Sequence, residues 1–253
     1  MISLKNELEI KVLAEGGAIL AQVLDVLAQE AVVGVTGRQL DERARELLYA
    51  HGTAPSFLGY GSRGQAPFPA ALCVSVNEAV VHGLPNDRVF QEGDIVKLDL
   101  GLIYKGMYLD SAHTVLIGSA SAEAKKLRDV TREALNVGIE AAHYGNTTGD
   151  IGAAVQEYVE GHGFGVVRQL VGHGVGHAVH EEPPVPNFGK AGKGTKLSVG
   201  LVIAIEPMVT AGNPAVVTAA DGWTVKTDDG SLAAHEEHTV AITKDGPRVL
   251  TAL

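Results

Sequence analysis

Residues 95–103, Ile95-Val96-Lys97-Leu98-Asp99-Leu100-Gly101-Leu102-Ile103, and residues 107–110, Met107-Tyr108-Leu109-Asp110, are two apolar runs separated by Tyr104-Lys105-Gly106. Their composition predicts two strands of a hairpin. If Tyr104 and Lys105 form the turn, Asp99 and Asp110 face each other directly across it, with Cβ atoms roughly 5 Å apart. Two carboxylates so placed repel, burial makes the repulsion worse, and a bound cation is the simplest remedy. An exposed edge hairpin with solvated acids accounts for one such aspartate and less well for two aligned ones.

Working outward, other acids end apolar strands. Glu206 closes Leu201-Val202-Ile203-Ala204-Ile205-Glu206-Pro207, and Glu237 opens Glu237-His238-Thr239-Val240-Ala241-Ile242. Either alone reads as a solvated strand end. With the aspartate pair they make a supply of carboxylates suited to divalent ions. The run Gly172-His173-Gly174-Val175-Gly176-His177-Ala178-Val179-His180 is the most unusual in the chain. Its glycines disfavour a helix, and no glutamate follows His173, so a helical zinc-protease site does not fit. A strand or loop that brings backbone close to a ligand does, and there His173 and His177 need not share a role. His82 lies between a strand and a turn. His51, His143 and His162 fall near helix ends and read as surface groups. Cys73 reads as a buried small residue or pocket wall.

Helices are expected over residues 4–29, from Thr36 to about Gly52, and over 121–143 and 148–160. Leu13, Leu20, Leu24 and Leu27 mark the buried face of the first, and Thr36 with Gln39 forms a capping box at the start of the second. Strands are expected over 71–81, 94–103, 107–117, 164–171, 201–210, 214–218 and 236–243, with Pro183-Pro184-Val185-Pro186 in a loop. A weak internal echo links Gly34, Thr36, Leu40, His51 and Gly52 to Gly145, Thr147, Ile151, His162 and Gly163. It also links Gly93 and Asp99 to Gly200 and Glu206, and His113-Thr114-Val115 to His238-Thr239-Val240. This suggests one catalytic domain of two pseudo-symmetric halves, about 1–118 and 119–253, closing on a central cleft.

The 253 residues carry 20 basic and 30 acidic side chains, a net charge of −10. That field argues against an extended nucleic-acid or anionic-membrane surface. A single cysteine excludes an intrachain disulfide. No signal peptide or membrane span is evident, so a cytoplasmic location is expected. Nucleotide loops and serine-hydrolase elbows are missing too.

Taken together, Asn77-Glu78-x3-His82-Gly83, Lys97-x-Asp99-x10-Asp110, Gly172-His173-Gly174-x-Gly176-x3-His180-Glu181-x-Pro183, Ile205-Glu206-Pro207, Asp221-Gly222-Trp223-Thr224 and Glu237-His238-Thr239-Val240 resemble the methionine aminopeptidases of the short bacterial type. The resemblance implies an α+β pita-bread fold, with a central antiparallel sheet and outer helices. It implies two divalent ions (Mn, Fe, Co, Ni or Zn) held by Asp99, Asp110, His173, Glu206 and Glu237, with Asp110 and Glu237 bridging. Glu206 would carry the proton, His180 would bind the scissile amide, and His82 would contact substrate beyond the cut. Tyr60, Phe68, Cys73, Trp223 and Val179 would line the methionine pocket, with His82 and His180 also touching substrate. Two departures stand out: extra residues within Gly61-Ser62-Arg63-Gly64-Gln65-Ala66-Pro67-Phe68, and Val179 where relatives carry an aromatic. The implied partners are nascent polypeptide N-termini, with the ribosome as a candidate, and the implied state is a monomer. The alternatives are a proline-specific aminopeptidase of the same fold and a non-catalytic RNA- or ribosome-binding relative.

Overall fold

The computed structural model describes residues 2–61 and 66–253. Half of the segment noted above, residues 62–65, therefore lies outside the described residues. Two helices come first, α1 (Glu7–Glu30) and α2 (Gly37–Ala50). The strands β1 (Ala54–Pro55), β2 (Leu72–Val76), β3 (Ala79–Val81), β4 (Ile95–Tyr104) and β5 (Met107–Leu116) follow. A second helix pair, α3 (Ala122–Ala141) and α4 (Thr148–Gly161), precedes β6 (Gly165–Val166), β7 (Gly172–Gly174), β8 (Glu181–Val185), β9 (Val202–Ile205) and β10 (Met208–Thr210). The chain ends with β11 (Val216–Thr218), β12 (Val225–Thr227), β13 (Ala233–His235), β14 (His238–Thr243) and β15 (Gly246–Val249).

The helices begin where side chains can satisfy their free N–H groups. Asn6 caps α1 with Glu9 reaching back, and Thr36 caps α2 with Gln39 doing the same. Leu13, Leu20, Leu24 and Leu27 of α1 are fully buried, as their spacing predicts. They join α2, β2, β4 and β5 in one apolar core, while α3, α4, β9 and β14 enclose a second. Between the two cores runs the sheet. β4 pairs with β5 on one side and with β1 and β2 on the other, and a second sheet has the order β15-β14-β9-β7-β8. An antiparallel bridge between Ala112 and Glu237 joins the two sheets.

Four expectations need correction. The hairpin turn is Lys105-Gly106, not Tyr104-Lys105: both residues have positive φ, 48° and 81°, as a type I′ turn requires. Asp99 therefore pairs with Ala112 and Asp110 with Gly101. The two acids are diagonal neighbours on the same face rather than direct partners. The strand expected over 71–81 breaks at Asn77, whose φ is 54°. Its side chain bonds Asp94 and the Ile95 N–H, and the buried Lys97 ammonium donates to its carbonyl at 2.8 Å. The strand expected over 201–210 breaks at Glu206-Pro207, where proline lacks an N–H for the ladder. Pro183-Pro184 lies in β8, not in a loop; β8 is at the sheet edge, the position where a strand tolerates missing N–H groups.

Candidate metal centre

Strand period brings the acids together. Asp99 and Asp110 project from one face of the β4–β5 hairpin, Glu206 follows β9, and Glu237 precedes β14. All are buried or nearly so, and all border one cavity of about 490 Å³. His173 enters from β7. Glycines flank it because neighbouring backbones close in: a Cβ on Gly172 would stand 2.4 Å from the Ala204 carbonyl, and one on Gly174 2.4 Å from that of Glu182. Its Nδ1 is 2.9 Å from the Gly174 carbonyl, which sends Nε2 into the cavity, 3.5 Å from Glu206 and 4.0 Å from Asp110. Donor atoms of Asp110, His173 and Glu237 all lie within 4.8 Å of one another.

Without a cation these buried acids hold on to their protons. Burial raises the Asp99 carboxyl to about 7, against hydrogen bonds from Asp110 and Cys73 that work the other way. Burial, followed by the mutual repulsion of the acids, pushes Asp110, Glu206 and Glu237 well above the usual carboxylate range. Burial holds His173 down at about 3, so the imidazole is neutral and free to donate a lone pair. Asp99 Oδ1, Asp110 Oδ1 and Glu237 Oε1 are buried with no hydrogen-bond partner. Buried oxygens are rarely left this way. Clustered hard donors plus one imidazole match divalent metal chemistry.

The other expected residues fall around this floor. His180 and His82 line the cavity with Tyr60, Phe68, Cys73 and Trp223. His180 Nδ1 bonds the Tyr60 hydroxyl at 2.7 Å, and its ring packs edge-on to His173 at 4.3 Å. Burial lowers the pKa of His180, and of His82 to about 4. Trp223 stacks edge-on to Phe68 and donates to the Ala66 carbonyl, with Asp221 accepting its backbone N–H. Cys73 is a buried wall residue in which burial raises the thiol well above its usual range. Val179 does not line the cavity. It is buried behind the wall, packed with Phe57, Phe68, Ala70 and Cys73.

His177 separates from the other histidines: it is exposed and bonded to Ser3 and Glu9. His51, His143 and His162 are also exposed. Two contributors escaped the sequence reading. Glu181 lines the cavity, pairs with the buried Lys5, and accepts the His177 and Ala178 N–H groups, shaping the turn before His180. His235 is buried with Nε2 3.7 Å from Glu206 and 3.9 Å from Glu237. It ends β13, two residues before Glu237.

Residues 11–244 match the model of metallopeptidase family M24. The chain is 48% identical to a methionine aminopeptidase of Clostridium perfringens over 254 residues, covering all of both chains. It is also 48% identical to one from Aquifex aeolicus, covering all of this chain and 99% of that one. A solved methionine aminopeptidase from Thermotoga maritima superposes over the full length of both chains, with a TM-score of 0.96 at 42% identity. A prolidase from Pyrococcus horikoshii, 24% identical, shares the fold alone: TM-score 0.75, over 98% of this chain and 63% of that one. The architecture is the α+β pita-bread fold.

Proposed function

The chain belongs to metallopeptidase family M24, and from that premise we propose that it is a metallo-aminopeptidase that removes the initiator methionine from nascent polypeptides. The observation that carries the reading is the buried cluster of Asp99, Asp110, His173, Glu206 and Glu237, with unpartnered carboxylate oxygens at the floor of a single cavity. These residues would hold two divalent ions, Asp110 and Glu237 shared between them. Such ions polarise a carbonyl and acidify water. Mn, Fe, Co, Ni and Zn all suit the donor set.

The chain's own groups do the rest. Glu206, at the cavity floor beside His173, takes a proton from the attacking water and passes it to the departing amine. His180, neutral and steadied by Tyr60, donates a hydrogen bond to the developing oxyanion. His82 contacts the substrate backbone past the scissile bond. Tyr60, Phe68, Cys73 and Trp223 make the apolar wall against the methionine side chain, with Val179 backing it. The free α-amine occupies the end of the cavity, which limits cleavage to one residue. The working unit is one domain of two pseudo-symmetric halves, acting as a monomer in the cytoplasm and meeting its substrates at or near the ribosome. Matching a methionine aminopeptidase at 48% identity over the full length of both chains favours this over a proline-specific enzyme.

The test is release of methionine from Met-Ala-Ser. A strong chelator should abolish it and Mn(II), Co(II) or Fe(II) should restore it. Full activity in verified metal-free protein would overturn the reading.

A further inference from the structure

The bridge that joins the two sheets is clasped twice, in the same way. The Thr239 hydroxyl donates to the Asp110 carbonyl at 2.7 Å and accepts the Asp110 N–H at 3.1 Å. The Thr114 hydroxyl donates to the His235 carbonyl at 2.6 Å and accepts the His235 N–H at 3.0 Å. Between the clasps Ala112 and Glu237 pair with each other. Asp110, Ala112 and Thr114 thus correspond to His235, Glu237 and Thr239. Each set alternates by two residues, so its members share a face. His235 stands where Asp110 stands on the other side of the bridge, and its ring lies against the Glu206 and Glu237 carboxylates.

The ring is 1% exposed, and neither nitrogen has a hydrogen-bond partner. The site carboxylates Asp99, Asp110 and Glu237 show the same deficit. The Glu206 carboxylate lies between two imidazoles: His173 Nε2 is 3.5 Å from Oε1 and His235 Nε2 is 3.7 Å from Oε2. Glu237 is 3.9 Å from the same His235 nitrogen. About half an ångström of side-chain movement brings either carboxylate within hydrogen-bond range.

We propose that His235 is a positioning residue of the metal centre, whose Nε2–H turns the Glu206 and Glu237 carboxylates into ligating orientation. The role rests on the metal-centre reading given above. Groups that orient metal ligands typically contribute about 10–100-fold to affinity. Glutamine can donate an N–H from this position; leucine and methionine fill the space without one.

Titration calorimetry with Mn(II) on His235→Gln, His235→Leu and His235→Met, alongside thermal unfolding of each metal-free protein, tests this. The Gln variant should bind within a few-fold of the parent. Leu and Met should lose about tenfold or more, with kcat falling and KM for Met-Ala-Ser little changed. The visible spectrum of the Co(II)-loaded Gln variant should match the parent's. Apolar variants that bind as tightly as Gln would overturn the proposal, because packing alone would then explain His235. An altered Co(II) spectrum in the Gln variant would overturn it differently, by making His235 a ligand. Failure of the parent itself to bind metal would remove the centre, and would be seen before any variant is compared.

Discussion

Asp110 borders both Asp99 and the Asp110–His173–Glu237 group, so its loss should reach further than that of its neighbour. Asp110→Asn should weaken metal loading more than Asp99→Asn in calorimetric titrations; equal loss would argue against a shared ligand. His180 touches Tyr60 and His173 but lies outside the carboxylate group. His180→Ala should therefore keep its metal content and lose turnover worth about 2.7–4 kcal/mol, the cost of one oxyanion donor. Metal loss in that variant would instead make His180 a ligand. Protons should compete with metal. The four acids have raised folded-state pKa values, Asp99 at about 7. In metal-free protein they therefore hold protons that the unfolded chain has released. Their stabilising contribution is present at low pH and is lost as pH rises towards and beyond about 7. Metal binding should expel those protons, so apparent affinity should fall as pH drops below about 7. His173, held near 3, is already neutral there and does not oppose the trend. Calorimetry in buffers of different ionisation enthalpy reads the protons directly, and pH-independent affinity would show that the acids are ionised without metal. The grouped acids were legible in the sequence because carboxylates within or at the end of apolar strands are conspicuous. His235 was not, because a histidine beside two glutamates looks like part of a solvated strand end.

At the scale of elements, helices were read to within a few residues, since capping groups and leucine spacing act locally. Strands were read less well. Asn77 and Pro207 interrupt long apolar runs, and nothing in apolar content marks where a ladder must stop. The aspartate pair was placed on the right face with the wrong register, because the turn was assigned one residue early. The two alternatives differ only in whether Gly106 is given its left-handed conformation. β7 was legible as a strand or loop of close backbone approach, but its place between β9 and β8 was not. The compression makes a prediction. Gly172→Ala sets a methyl against the Ala204 carbonyl and should push β7 from β9, costing about 1–3 kcal/mol of stability. It should also carry His173 away from Glu206. Thermal unfolding and metal titration should both report it; a variant equal to the parent in both would show that β7 has room the structure does not reveal.

At the scale of the whole molecule, two helix-backed cores support the sheets, two smaller apolar clusters wall the cavity on them, and the cavity sets what enters. If His82 contacts the substrate past the cut, as proposed above, a small second residue would let the scissile carbonyl reach the floor and a large one would crowd that wall. Overpacking of about 1–3 kcal/mol slows cleavage tenfold or more. Met-Ala-Ser should therefore be cut at least about tenfold faster than Met-Ile-Ser by kcat/KM, and equal rates would remove His82 from the gate. No helix among the described residues is long and apolar enough to cross a membrane. The clasped bridge between Ala112 and Glu237 also has a meaning in time. A chain is made from one end, and the floor of this cavity is sewn from residues 99 to 237. A copy still on the ribosome holds the hairpin acids long before Glu206 and Glu237 exist to join them. Catalysis thus begins only after Glu237 has been made, and a fragment terminated before it would be inert.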